Sequence, residues 1–420
     1  MTSRLFGARF FYGWIIVFIT FITSMITSGI SGYGLSFFVI PMSEDLGVSR
    51  AEFAIINVFR IALIPAIPLF GYLADKKQGP RLMLTFGSLI AGFALVFSSQ
   101  VQSIWHFYLL YGIVVGLAMT IIGGDIVGAA VISKWFIRLR GRAMAFGTMG
   151  ISAGGLIVAP FAGWLISAFD WRLAWVVLGL AIILFIAPAS AIFMRRSPED
   201  MGLLPDGDVL PSSHSTYERA VLEYSWTLKQ ALRTRSFWIL LITGTLAYIA
   251  ISSVLFHQVA YMQDKDFGIQ TTAVMATTLA FFALIAKPMW GLLAEKIHIR
   301  WVMVVGFILS GISLLLLVLA QNVPMLLGYA IFHGLTMGGE ATLMNVALAT
   351  YFGRDHMGAI RGAVAPIGVI MGSLSPVFSG WLWTPETSYD LPFIILSVIW
   401  VLGGLIMLLA KPPVIPKIPT

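Results

Sequence analysis

The sequence has no cysteine. Disulfides and thiolate metal sites are therefore excluded. Charge is scarce as well. Asp, Glu, Lys and Arg make up 11% of the 420 residues, against about 25% in soluble domains. Catalytic signatures are missing too. The chain has no G-x-x-x-x-G-K-[ST] phosphate loop, no H-E-x-x-H and no G-x-S-x-G, so ATP hydrolysis, zinc proteolysis and serine hydrolysis lose their usual marks. No pattern calls for a cofactor or a metal. The deep polar residues form no nucleophile–base set, which argues against a membrane enzyme.

What remains is apolar. Hydrophobic residues make up 59% of the chain, the composition of an integral membrane protein. Twelve apolar runs are each long enough to cross about 30 Å of hydrocarbon. They lie near 11–41, 52–74, 81–100, 104–134, 142–168, 172–193, 237–262, 269–294, 300–320, 324–352, 359–384 and 391–410. Met1–Phe10 is too short for a signal peptide ahead of the first run, which reads as a retained helix. The net charge of +7 does not suggest nucleic acid, because the basic residues are spread over the loops.

Those basic residues orient the chain. With both termini in the cytoplasm, only Arg50, Arg172 and Lys265 fall outside. Arg60 and Lys287 fall within runs, and every other Lys and Arg lies on the cytoplasmic side. That asymmetry is the positive-inside pattern. It puts both ends in the cytoplasm, and the expected location is a plasma (inner) membrane.

The halves repeat. Pro68–Lys76 reads P-L-F-G-Y-L-A-D-K and Pro288–Lys296 reads P-M-W-G-L-L-A-E-K. Tyr111–Met119 (Y-G-I-V-V-G-L-A-M) matches Tyr329–Met337 (Y-A-I-F-H-G-L-T-M), and each leads to an acid after two glycines, Asp125 and Glu340. F-A-G-W-L at Phe161 matches F-S-G-W-L at Phe378. Three ordered matches half a chain apart describe two homologous halves, a common transporter plan. The expected fold is an all-α membrane protein of twelve transmembrane helices in two pseudo-symmetric six-helix bundles, residues 1–193 and 237–420. Residues 194–236 read as a flexible cytoplasmic linker. Within it, Trp226–Arg235 reads as a short surface helix.

The loop G-Y-L-A-D-K after the second run resembles the signature of the major facilitator superfamily. In that family the loop is cytoplasmic and its acid helps to lock the halves together. The resemblance therefore implies a cytoplasmic gate at Gly71, Asp75, Lys76 and Arg81, with Gly291, Glu295 and Lys296 as the second copy. This chain has one extra residue between the acid and Gly79. A narrower resemblance is to the monocarboxylate transporters and the bacterial oxalate–formate exchangers. Phe11-Tyr12-Gly13-Trp14 carries it, as do Trp135–Ala145 (W-F-I-R-L-R-G-R-A-M-A), Gly150 and Gly154, and Lys287 with Pro288 and Gly291. The chain departs at Ala145, where that group usually has glycine, and at Lys287, where it usually has arginine. Animal members have an aspartate where this chain has Ala283.

Four charges lie deep in the runs: Arg60, Asp125, Lys287 and Glu340. Arg60 is roughly 15 Å along the run from Arg50, and Lys287 roughly 12 Å from Glu295. In the resembling fold the second, fourth, eighth and tenth helices line or flank a central cavity. The third, sixth, ninth and twelfth face lipid, and here those four runs carry no charge beyond the arginines at their first residues, Arg81, Arg172 and Arg300. Intramembrane charges are functional by default and usually paired. One reading is two structural ion pairs. The sharper reading makes Lys287 a carboxylate anchor, a point charge with rotatable donors, and Arg60 a second anion site. Asp125 and Glu340 are then proton carriers, or salt-bridge partners of the cations. His257, His333 and Tyr33 are further substrate-binding candidates, each with a packing alternative.

The expected function is a secondary active transporter of a small organic anion, a monocarboxylate, coupled to protons or to a counter-anion and working as a monomer. Two alternatives stay open: a carrier of a zwitterion or cation using Asp125 or Glu340 as counter-ion, and a non-transporting membrane sensor.

Overall fold

The computed structural model describes residues 11–48, 52–53, 55–56, 59, 62–123, 126–208, 224–384, 386 and 388–414. Among these the regular structure is helical. In lipid a helix satisfies its own backbone donors and acceptors, so apolar runs of this length fold this way. The chain divides into two compact units: residues 1–225 with Gly353–Ala359, and residues 226–352 with 360–420.

The first unit contains α1 (Gly13–Leu46), α2 (Ile64–Ala74), α3 (Gly79–Ser98), α4 (Ile104–Trp135), α5 (Arg140–Ala168) and α6 (Trp171–Phe193). The second contains the short α7 (Leu228–Ala231), then α8 (Arg235–Asp264), α9 (Ile269–Lys296), α10 (Ile299–Val318), α11 (Val323–Met337) and α12 (Glu340–Phe352). It continues with α13 (Met357–Trp381), whose first three residues belong to the first unit, and α14 (Asp390–Met407). Ten described helices are long and apolar enough to cross a membrane. Three of the twelve runs are interrupted. The second holds undescribed residues ahead of α2, the fourth leaves its helix after Ile122 and resumes it at Val127 with residues 124–125 undescribed, and the tenth is split into α11 and α12.

Polar side chains mark the helix starts. Asp170 Oδ1 accepts the Leu173 N–H at 2.6 Å, and Asn322 Oδ1 accepts the Met325 N–H at 3.0 Å. Thr227 and Gln230 form a reciprocal capping box at α7, each cap contributing about 1 kcal/mol. Lys265, just beyond α8, donates to the Leu317 and Val318 carbonyls that end α10. Burial holds its ammonium below the ordinary lysine range, against the pull of Asp390.

The outer faces follow the helical period. On α3 the exposed side chains are Leu82, Phe86, Ile90, Phe93 and Phe97; on α14 they are Leu391, Ile394, Val398, Leu402 and Leu405. Steps of three and four place each set on one stripe. An apolar stripe left exposed on a spanning helix is the face that meets lipid.

Inside the first unit, α1 and α5 pack at backbone distance. A methyl group at Gly154 would lie 2.4 Å from the Met25 carbonyl oxygen, so only glycine permits the approach. Both helices widen there into π turns, at Gly29–Gly34 and Gly154–Val158. Phe38 of α1 stacks on Trp175 of α6 at 3.8 Å.

The segment after α6 differs from a flexible linker. Residues 198–207 form two tight turns with Pro198, Leu204 and Pro205 buried. Asp206 anchors them. Its carboxylate accepts the backbone N–H groups of Ile137, Arg138 and Leu139 at 3.1, 2.8 and 3.0 Å. Those donors lead into α5, where intrahelical acceptors are lacking. Its Pro and Gly content marks turns, and turns can be docked as well as mobile. Residues 209–223 lie outside the described residues.

Candidate functional site

Lys287 sits two-thirds along α9 and is 5% exposed. Its Nζ donates to the Ala283 carbonyl one turn back, at 3.3 Å. Pro288 follows, yet the helix runs unbroken to Lys296. The lysine is displayed from a continuous helix. The ring still removes one backbone donor there.

The break occurs opposite, in the tenth run. The turn Gly338–Gly339 separates α11 from α12. A methyl at Gly338 would lie 2.5 Å from Ala283 Cα, and one at Gly339 would lie 2.2 Å from Trp290. The Trp290 indole also donates to the Leu335 carbonyl at 2.7 Å. So α9 presses into the glycine pair directly beside the turn that carries Lys287.

Glu340 opens α12, 3% exposed. The Trp400 indole of α14 donates to its Oε1 at 2.6 Å. Oε2 has no hydrogen-bond partner among the described residues. No ion pair joins Glu340 to Lys287 among the described residues. Arg60 and Asp125 lie outside the described residues.

His333 is fully buried on α11. Its ring stacks on Tyr329 at 5.2 Å and meets Trp400 edge-on at 5.3 Å. Nδ1 pairs with Ser313 Oγ of α10 at 2.7 Å. Tyr329 in turn donates to Gln258 of α8 at 3.0 Å. His257 is nearly buried, with Nε2 2.8 Å from the Pro376 carbonyl and its ring 4.7 Å from that of Tyr389. Tyr33 is 41% exposed on the π turn of α1, close to Gly155. The structure brings His333 and Glu340 into one neighbourhood, around Trp400. His257 and Tyr33 stand elsewhere.

A second arrangement surrounds Asp75, just past α2. Its Oδ1 accepts Lys134 Nζ at 2.8 Å and the Gly358 N–H at 3.1 Å. Its Oδ2 accepts the Ala359 N–H at 2.8 Å. The acid therefore meets a helix N-terminus and a buried cation together, both favourable to negative charge. Gly358 has no room for a side chain: a methyl there would lie 2.4 Å from the Gly71 carbonyl. Arg354 extends the network. It donates to the Lys134 carbonyl at 2.8 Å and to Glu199 at 2.6 Å. Lys76 rests over the Tyr72 ring at 4.2 Å. A cavity of about 500 Å³ opens here, lined among others by Asp75, Lys134, Glu199 and Arg354. Arg81 is exposed, while in the second unit Gly291 is buried and Glu295 half-buried. Sequence reasoning missed Glu199 and Arg354 as a pair, because 155 residues separate them and neither lies in a repeated motif.

Helical spans in two units, intramembrane charges and loop networks of this kind define a multi-pass membrane carrier. The chain belongs to the Major Facilitator Superfamily, whose family model matches residues 13–283 and 260–420. Monocarboxylate transporter 2 of Mesocricetus auratus is 23% identical over 421 residues, 95% of this chain and 84% of the relative. Monocarboxylate transporter 11 of Homo sapiens is 25% identical, covering 97% of this chain and 84% of the relative. Among solved structures, the proton:xylose symporter XylE aligns with a TM-score of 0.74 at 13% identity, covering 94% of this chain and 95% of that one. The human organic anion transporter MFSD10 aligns at 0.69 and 13% identity, covering 94% and 99%. These two share the fold. The chain is a membrane transporter, and its relatives are transporters rather than enzymes.

Proposed function

We propose that the chain is a secondary active transporter of a small monocarboxylate, coupled to protons or to a counter-anion by alternating access. The observation that carries this reading is Lys287, a lysine buried in an apolar span beside the Gly338–Gly339 break. A buried ammonium binds a carboxylate by charge and rotatable donors. The names of the monocarboxylate transporter relatives support the same substrate class. Arg60, Tyr33, His257 and His333 are secondary candidates for substrate contact, and Asp125 and Glu340 for proton coupling. Gly71, Asp75, Lys76 and Arg81, with Gly291, Glu295 and Lys296, control the cytoplasmic opening, and the monomer is the working unit.

Uptake into proteoliposomes tests this, using labelled monocarboxylates, dicarboxylates, amino acids and amines, with and without a pH gradient. Monocarboxylates are expected to enter. Uptake of amines or amino acids alone would favour the counter-ion reading of Asp125 or Glu340. No uptake of any class would favour a sensor.

In the same reading both termini and residues 194–236 are cytoplasmic, in a plasma membrane. Single cysteines at Ser213 and Gln263 should then label differently with an impermeant thiol reagent in intact cells, Gln263→Cys strongly and Ser213→Cys hardly at all. Equal labelling would rule the topology out.

A further inference from the structure

The cavity of about 500 Å³ beside Asp75 lies wholly within the first unit, to which residues 353–359 belong. Its volume is that of a small-molecule site. The Asp75 network accounts for only part of its wall. Two ion pairs stand there, Lys134 with Asp75 and Arg354 with Glu199. Asp75 uses both of its oxygens, since the Gly358 and Ala359 N–H groups also donate to it.

Two further cations line the cavity outside these pairs. Lys76 is exposed and makes no ion pair among the described residues; its ammonium rests over the Tyr72 ring. Arg196 is held at one corner. It donates to Asp200 at 3.2 Å, and its Nε has no hydrogen-bond partner among the described residues. That contact is long for a charge-assisted bond, which usually measures about 2.7–2.9 Å. Asp200 does not line the cavity. The remaining lining acid, Asp355, is exposed, and its neighbour His356 adds a ring N–H. Four Lys and Arg against three acids give a wall that favours an anion over a metal cation.

The two cations differ in kind, and together they select the anion. A guanidinium is a planar fork and an ammonium a point charge, and both bind phosphate oxygens. A phosphomonoester carries a charge of about −1.5 to −2 near neutral pH and three acceptor oxygens, enough to engage both. A monocarboxylate brings one charge and neutralises only one of them. We propose that this cavity is a regulatory anion site for a phosphomonoester group, with Lys76 and Arg196 as its charged contacts and His356 as a further donor. The bound group joins the end of α2 to the segment that follows α6. It fits the cavity present while Asp75 holds the start of α13, so by linkage it favours that arrangement. On the positive-inside reading the site faces the cytoplasm. A soluble phosphate and a phosphatidic acid headgroup offer the same chemistry.

Slowing of transport by the bound group rests on the transport reading, but binding itself needs no substrate. The full chain in phosphatidylcholine nanodiscs, titrated with inorganic phosphate at constant ionic strength, tests it. Saturable thermal stabilisation is expected. Lys76→Gln and Arg196→Gln should each weaken phosphate binding at least ten-fold. Lys77→Gln, next in sequence but outside the cavity wall, should leave it within about two-fold. No saturable shift, or equal losses in Lys76→Gln and Lys77→Gln, would overturn the proposal. Should Arg196→Gln fail to fold, that lysine comparison decides alone. Displacement of phosphate by an equal concentration of lactate would make the cavity a substrate subsite and overturn it too. Nanodiscs containing phosphatidic acid identify the source: loss of the phosphate response there assigns the site to the lipid headgroup, and an unchanged response assigns it to a soluble phosphate. Phosphate binding in a protein that takes up no carboxylate would uphold the site and remove the transport reading alone. In a transporting protein, phosphate on the cytoplasmic face should lower the maximal rate while substrate affinity stays within about two-fold. An unchanged rate at saturating phosphate would overturn the regulatory role.

Discussion

Replacing Lys287 with glutamine is expected to abolish monocarboxylate uptake while the protein still inserts and folds. The ammonium is buried in α9, so a bound carboxylate would be paired out of water. Removing one partner from such a pair costs about 2–5 kcal/mol, which is about thirty-fold to several-thousand-fold in affinity. Glutamine keeps a donor on a side chain one atom shorter, so the loss reports chiefly the charge. Lys287→Arg should retain part of the activity with altered substrate preference, because guanidinium offers a planar fork. The competing account makes Lys287 a structural partner of an acid. Lys287 and Glu340 form no ion pair among the described residues, so Lys287→Gln and Glu340→Gln should act additively on thermal stability. Binding is read by substrate-induced thermal shift and by uptake. Unchanged affinity in Lys287→Gln, or full rescue by adding Glu340→Gln, would remove the lysine from the binding site.

The twelve runs and the internal repeat were legible because hydrophobicity and lysine–arginine placement report directly on the membrane. The lipid-facing stripes on α3 and α14 could be read from the period of their large side chains. Rotation of the inner helices could not. Helices apolar all round carry no moment to say which face meets which neighbour. That is why Glu340 and His333 read as cavity residues on the tenth run, while the structure packs both against Trp400 of α14 and the serines of α10. At the glycine pair Gly338–Gly339, α9 approaches too closely for any side chain. Pro288 lies inside a helix that continues past it to Lys296. The network of Asp206, Glu199 and Arg354 joins residues far apart in sequence. No local pattern could have revealed it.

Asp75→Asn is expected to reduce maximal transport rate at least ten-fold while leaving substrate affinity within about two-fold, the signature of a conformational step. The cause is the number of donors the carboxylate serves. Oδ1 takes Lys134 Nζ and the Gly358 N–H, and Oδ2 takes the Ala359 N–H. Asparagine keeps one acceptor and turns the other into an N–H₂. A donor then faces a donor, and Lys134, 4% exposed at its side chain, loses its counter-charge. Leaving a buried charge unpaired costs about 3–5 kcal/mol, enough to shift a two-state equilibrium by two orders of magnitude or more. The Asp75 cluster includes no residue of α9, so the binding candidate Lys287 is not altered directly. Lys134→Met removes the stranded charge. Added to Asp75→Asn, it should recover part of the stability but not the rate, because the helix N-terminus at Gly358 and Ala359 still lacks its acid. Initial rates over a range of substrate concentrations separate the two parameters. A large loss of affinity at unchanged maximal rate in Asp75→Asn would contradict a conformational role for this acid.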